Sequence, residues 1–222
     1  MRARVSTGDA VAVASFVGSV AATAAVYGRL PARVTTHFDI HGRADGWMNR
    51  STGAWIVPAL ALGTWLVVRF GARLVPRVPR DRAEWRDRLA RSPLAAVGAI
   101  VMVTLSASQL LILRASLPGG DAVDHGRLLL LVLGGMWIAL GVVFPRVRRN
   151  PFIGVRTVWT LVSDENWART HRVASWACLA GGLVALACAA AGGPAAYAFG
   201  FAAFVASALV PVVYSWVLAR RA

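Results

Sequence analysis

The sequence contains no lysine; all 24 of its basic residues are arginine. That absence removes every mechanism that needs a lysine amine, including Schiff-base chemistry and the Walker-type phosphate loop. Acids are scarce too, ten Asp and Glu in all, which leaves a formal charge of +14. The only cysteines are Cys178 and Cys188. They fall on one predicted helix, about 15 Å apart at ~1.5 Å per residue, and a disulfide needs Cα atoms within about 7 Å. The two therefore do not pair with each other, and two thiols make no metal framework. No G-x-S-x-G, H-E-x-x-H or phosphate-loop motif occurs, so no catalytic residue is assigned and no enzyme or cofactor is expected.

Apolar residues are abundant. The 222 residues are 57% hydrophobic, with a mean hydropathy of +0.59. The apolar positions collect in blocks long enough to cross about 30 Å of hydrocarbon. Spans are predicted at about 10–28, 54–70, 94–113, 128–145, 173–192 and 195–218. The expected fold class is all-α: a polytopic membrane protein of about six transmembrane helices with short loops. Gly192-Gly193-Pro194 joins the last two spans as a tight helical hairpin. Ser15, Ser19 and Thr23 repeat every four residues as a small-residue packing seam, and Thr104, Ser108 and Gln109 suggest another. No Asp, Glu or His lies deep in a span, which counts against a proton pump or ion-coupled transporter.

Charge placement gives an orientation. With the N-terminus in the cytoplasm, 18 of the 24 arginines are inside. The positive-inside rule then expects a multi-pass protein of the cell membrane with both termini cytoplasmic. Topology thus accounts for the net charge, and no direct nucleic-acid partner is expected. Membrane lipids are the expected partners of the Arg-rich loop 73–93. There, Asp81 and Glu84 are spaced as a capping pair, and Glu84/Arg88 and Asp87/Arg91 suit a short surface helix. The chain divides into a first helical hairpin at 1–72, this loop, and a four-helix region at 94–222.

Two loops carry the chemistry. The outer one, 30–52, holds His37, Asp39, His41 and Asp45 within nine residues. A metal reading uses His37 and His41, since imidazole and carboxylate are zinc ligands. The other reading is a compact polar loop. In it, Phe38-Asp39-Ile40-His41-Gly42 is extended and runs into a turn, Asp45 accepts backbone hydrogen bonds, and Trp47 anchors the interface. The inner loop, 148–172, offers Ser163 as an N-cap, with Asp164 and Glu165 at the positive end of a helix that runs into the fifth span. Trp167 and His171 share a face of it, with Thr170 beside them. Asn150-Pro151-Phe152-Ile153-Gly154 reads as a turn against the membrane. Arg156 follows and needs a carboxylate or carbonyl partner, and Asp164 and Glu165 are the nearest acids. A purely interfacial loop would use Trp159 and Trp167 as belt residues.

The segment NPFIGVRTVWTLVSDENWARTHR closely resembles the signature of the SdpI-type bacterial immunity protein family. LPARVTTHFDIHGRADGW resembles the small domain of unknown function that precedes it in the same proteins. The family pattern falls on His37, Phe38, Gly42, Asp45 and Trp47 in the outer loop, with Asp39 in place of a common Asn. In the inner loop it falls on Asn150, Phe152, Gly154, Arg156, Thr157, Trp159, Thr160, Leu161, Trp167, Thr170, His171 and Arg172. Val158 stands where Pro is usual, which leaves the turn after Thr157 less rigid, and Arg50 replaces a usual Lys. The resemblance implies an integral membrane immunity or sensor protein. It would meet a secreted membrane-active peptide toxin outside and hold an ArsR-like transcriptional repressor at the membrane inside. A small transporter or lipid-binding membrane protein is the alternative.

Overall fold

The structure is a computed structural model describing residues 6–74, 93–120, 124–150 and 152–221. Six of its helices are long and apolar enough to cross a membrane. The first is α1 (Thr7–Val26), capped by Ser6, whose side chain accepts the Asp9 amide. The chain then forms two strands, β1 (Arg33–Phe38) and β2 (Ala44–Asn49), paired antiparallel. A single turn, α2 (Arg50–Gly53), leads into α3 (Ile56–Leu74). Next come α4 (Leu94–Ser116) and α5 (His125–Val143). A short helix, α6 (Val158–Val162), precedes α7 (Asp164–Ala191) and α8 (Pro194–Ala219).

The expected helical class and its six spans hold. The protein is mostly helical, but the outer loop is a β-hairpin. Its residues alternate Val-Thr-Thr-His-Phe and Asp-Gly-Trp-Met, and β-branched and aromatic side chains favour a pleated surface. The extended reading of Phe38 and its turn therefore holds. The proposed surface helix around Glu84 lies outside the described residues.

The helices form two groups of three. α1, α3 and α4 pack together, α5, α7 and α8 pack together, and α4 against α5 joins the groups. Within a membrane, close backbone approach and interhelical hydrogen bonds replace the hydrophobic drive between helices. Ser175 Oγ accordingly donates to the Gly141 carbonyl at 2.6 Å, tying α7 to α5. Gln109 on α4 is buried and its Nε2 donates to Thr23 Oγ1 at 3.0 Å and to the Ala54 carbonyl at 2.9 Å. The two seams seen in the sequence thus meet through one amide, while Thr104 and Ser108 bond back to their own helix. The α7–α8 turn uses Gly192 and Gly193, both at positive φ. Cys178 and Cys188 are free thiols.

Candidate functional site

At one end of the bundle the hairpin lies across both helix groups. Its base sits on α4, where the Thr35 amide donates to Ser116 Oγ at 3.0 Å. Its tip sits on α5 and α8. Phe38 stacks on His125 with ring centroids 5.3 Å apart, and His41 Nδ1 lies 3.2 Å from the Pro194 carbonyl. Gly42, at φ 79°, rests against the Gly126 backbone so closely that a Cβ would overlap it. The two turn acids have exchanged their expected roles. Asp39, not Asp45, organises the backbone, its Oδ1 accepting the His41 amide at 2.8 Å and the Arg43 amide at 2.9 Å. The Arg43 amide leads in holding the Asp39 carboxyl below its ordinary pKa. Asp45 instead meets His37 Nδ1 at 2.5 Å across the strands. The two imidazoles are thus engaged apart, and among the described residues no three metal-ligating side chains gather. Trp47 is exposed, as an interfacial anchor would be.

Sequence reasoning missed Asp124. It caps α5 by accepting the Arg127 amide at 3.0 Å and receives the Tyr197 hydroxyl from α8. Burial alone would raise its pKa, but the Tyr197 and Arg127 hydrogen bonds outweigh burial and lower it. The available signal was an acid directly before an apolar run.

At the other end, 144–163 folds into a knot whose uncharged polar side chains are turned inward. Asn150 is fully buried. Its Oδ1 accepts the Phe152 and Ile153 amides at 2.8 Å each, and its Nδ2 donates to the Arg148 and Ile153 carbonyls at 2.8 and 3.1 Å. The amide's full set of four bonds is met. Thr157 caps α6 in a reciprocal box with Thr160, and Thr160 Oγ1 donates to the Val155 carbonyl at 2.7 Å. His171 is 1% exposed and lies parallel to Trp167, with centroids 4.1 Å apart. Its Nδ1 donates to the Trp167 carbonyl at 2.9 Å, while the Val155 amide donates to Nε2 at 3.1 Å. A carbonyl only accepts, so this pattern fixes the tautomer and occupies both nitrogens. Gly154, at φ 114°, gives the ring its space, since a Cβ there would overlap Nε2.

Two expectations change here. Trp167 is no belt residue; it is buried, donates from Nε1 to the Val147 carbonyl at 2.8 Å, and packs with Val97 of α4 and Ile153. Trp159 is half-buried beside α8 and lines a cleft there with Tyr214. Of the acids nearest Arg156 in sequence, Asp164 binds Arg149 Nε at 2.6 Å and Glu165 binds Arg169 Nη2 at 2.8 Å. Arg156 itself is exposed.

Beyond the sequence motifs, the structure brings in Ser215 and Asn166. Thr157 Oγ1 and Ser215 Oγ share a hydrogen bond of 3.0 Å, and Asn166 Nδ2 donates to the Ser215 carbonyl at 3.0 Å. Thr170 Oγ1 in turn donates to Asn166 Oδ1 at 3.1 Å. What the knot presents outward is cationic and apolar: Arg156, Arg169 and Arg172 are exposed, as are Val158 and Val162 of α6, at 69% and 79%.

No curated protein and no solved structure matches the chain. Two family models do. The domain of unknown function DUF1648 matches residues 14–62, which hold α1, the hairpin and the start of α3. The SdpI/YfhL protein family matches residues 146–215, from the knot to the Ser215 contacts. The chain is therefore a multi-pass membrane protein that carries an SdpI/YfhL family domain behind a DUF1648 domain.

Proposed function

We propose that this is an immunity or sensor protein of the cell membrane, with the hairpin facing out and the knot facing the cytoplasm. The hairpin would meet a secreted membrane-active peptide toxin. The knot would report to a cytosolic partner, an ArsR-like repressor being the expected kind. The observation that carries the reading is the position of α8. The hairpin tip contacts its first residue, through His41 and the Pro194 carbonyl. The knot grips its last turns, through Thr157, Asn166 and Ser215. One helix is thus held at both ends by the two family motifs. A peptide that displaced the hairpin would bias how α8 seats against α6 and α7, and the exposed Arg156, Val158 and Val162 would carry the change to a partner. The reading assigns no catalytic residue.

Deleting the gene tests this directly. The deletion strain is expected to become sensitive to its own culture supernatant, and the wild-type chain to restore resistance. Unchanged resistance, with the chain present in the parent membrane, overturns the immunity reading.

A transporter or lipid-binding role is the second reading. An apolar cleft of about 490 Å³ between α1, α4 and α5, lined by Val103, Leu131 and Met136, favours it. Uptake of a labelled solute by vesicles that contain the chain, and not by empty ones, would support transport over immunity.

A further inference from the structure

We propose that the cleft between the end of α5 and the start of α7 binds the phosphate of an anionic phospholipid headgroup. The cleft measures about 870 Å³ and is lined by Arg146, Arg148, Arg149 and Arg172, with Asp164 the only acid among the described residues that line it. Among the described residues, four guanidinium groups line the cleft with one carboxylate. Asp164 is already matched to Arg149, at 2.6 Å. Arg149 also spends Nη1 on the Leu161 carbonyl. Arg146 and Arg172 supply the charge a phosphate would meet. A guanidinium fork fits a phosphate in two places at once.

The position selects a lipid over a soluble anion. Arg146 ends the span His125–Arg146, so the cleft lies where headgroups lie. Apolar surface runs from it toward the bilayer centre along both helices. On α5, Val142 is exposed one turn below Arg146, and Arg146 Nη1 donates back to the Val142 carbonyl at 2.8 Å. On α7, Trp176 is 69% exposed one turn below Arg172, and Leu183 continues the same face. A basic pocket at headgroup depth above apolar helix faces is the arrangement that holds an acidic lipid. The bound group would brace α5 against α7 beside the Trp167–His171 stack, since both rings line the cleft. This proposal does not depend on a toxin or a repressor.

Thermal unfolding of the purified full chain in a neutral detergent tests it. Phosphatidylglycerol should raise the midpoint. Phosphatidylcholine with the same acyl chains, and inorganic phosphate at the same concentration, should not. In an Arg146→Gln/Arg172→Gln double variant, about tenfold more phosphatidylglycerol should be needed for the same rise. Arg114→Gln, at the opposite end, should respond like wild type. Equal rises with phosphatidylcholine or with inorganic phosphate overturn the proposal, as does an unchanged response in the double variant. Should the double variant not fold, wild type alone decides. Native mass spectrometry of the chain from mixed micelles should retain phosphatidylglycerol in preference to phosphatidylcholine, and even retention refutes the site.

Discussion

His171 illustrates how a motif residue acquires its role at the scale of a single side chain. From the sequence it is an imidazole one helical turn from Trp167. In the fold it has no lone pair left to offer, because Trp167 and Val155 take both nitrogens. Its role is to fasten the knot to α7, and Asn150 does the same within the turn. His171→Ala and Asn150→Ala should therefore act through stability. Stranding the Val155 amide in the first variant, or the Phe152 and Ile153 amides in the second, costs about 1–3 kcal/mol per group, so both variants should accumulate less and unfold at lower temperature. Normal abundance with lost function would contradict that role. Arg156 is the contrasting case, an exposed side chain. Arg156→Lys keeps the charge and removes the fork. It should insert and accumulate normally yet lose partner recruitment or protection, by about tenfold if one forked contact is at stake. A fully active Arg156→Lys protein would remove Arg156 from the signalling surface. Asp39 gives a pH dependence. The Arg43 amide, foremost, holds its folded pKa below the ordinary carboxylate value. The stabilisation it gives the turn is therefore present above that value and fades as pH falls through the folded pKa. Amide exchange at His41 and Arg43 should stay slow down to about pH 4 and quicken only below it.

At the scale of elements, the hairpin and the knot do related work at opposite ends. Each spans the two helix groups, the hairpin from α4 to α5 and α8, the knot from α4 to α7 and α8. Gly42 is where the hairpin's seating is most exposed to test. A side chain there meets the Gly126 backbone, and a left-handed φ costs an L-residue about 1–2 kcal/mol. Gly42→Ala should unseat the tip from α5, reduce protection, and leave the helices membrane-inserted. Phe38 and Trp47 fluorescence or exchange data would follow the hairpin itself; wild-type protection from a protein with a released tip would disconnect the hairpin from function. α7 shows how an element can serve two media. Its 28 residues span about 42 Å at 1.5 Å per residue, more than the hydrocarbon needs. The first turns therefore project beyond the apolar layer and carry the Ser163 cap, the charge pairs and the knot.

For the whole molecule, orientation decides which motif meets which compartment, and charge asymmetry is its determinant. Cysteine reporters in a chain lacking Cys178 and Cys188 should report it. A reporter at Asp45 should react with an impermeant reagent from outside the cell, and one at Glu165 only after the membrane is opened. The reverse pattern would exchange the roles of the two ends and overturn the proposed function, while leaving the fold as described.

Much of this protein was legible in its sequence, because the bilayer imposes length and polarity rules that act on local segments. The six spans, the Gly192-Gly193-Pro194 turn, the Ser163 cap and the helix running on from it are all local, and all appear in the structure. The family motifs were legible as well, as strings of residue types. What each residue does was not. Asp39 and Asp45 are both turn acids six residues apart, and only strand register places one against two amides and the other against His37. Trp167 has the composition of a belt residue, and only the return of the knot over α7 buries it. The Asp164–Arg149 pair, the Thr157–Ser215 link and the arginine cleft join positions far apart in the chain. Periodicity fixes which face of a helix a residue occupies. Which neighbour that face meets depends on helix packing, and that is decided only when the two helix groups close on each other.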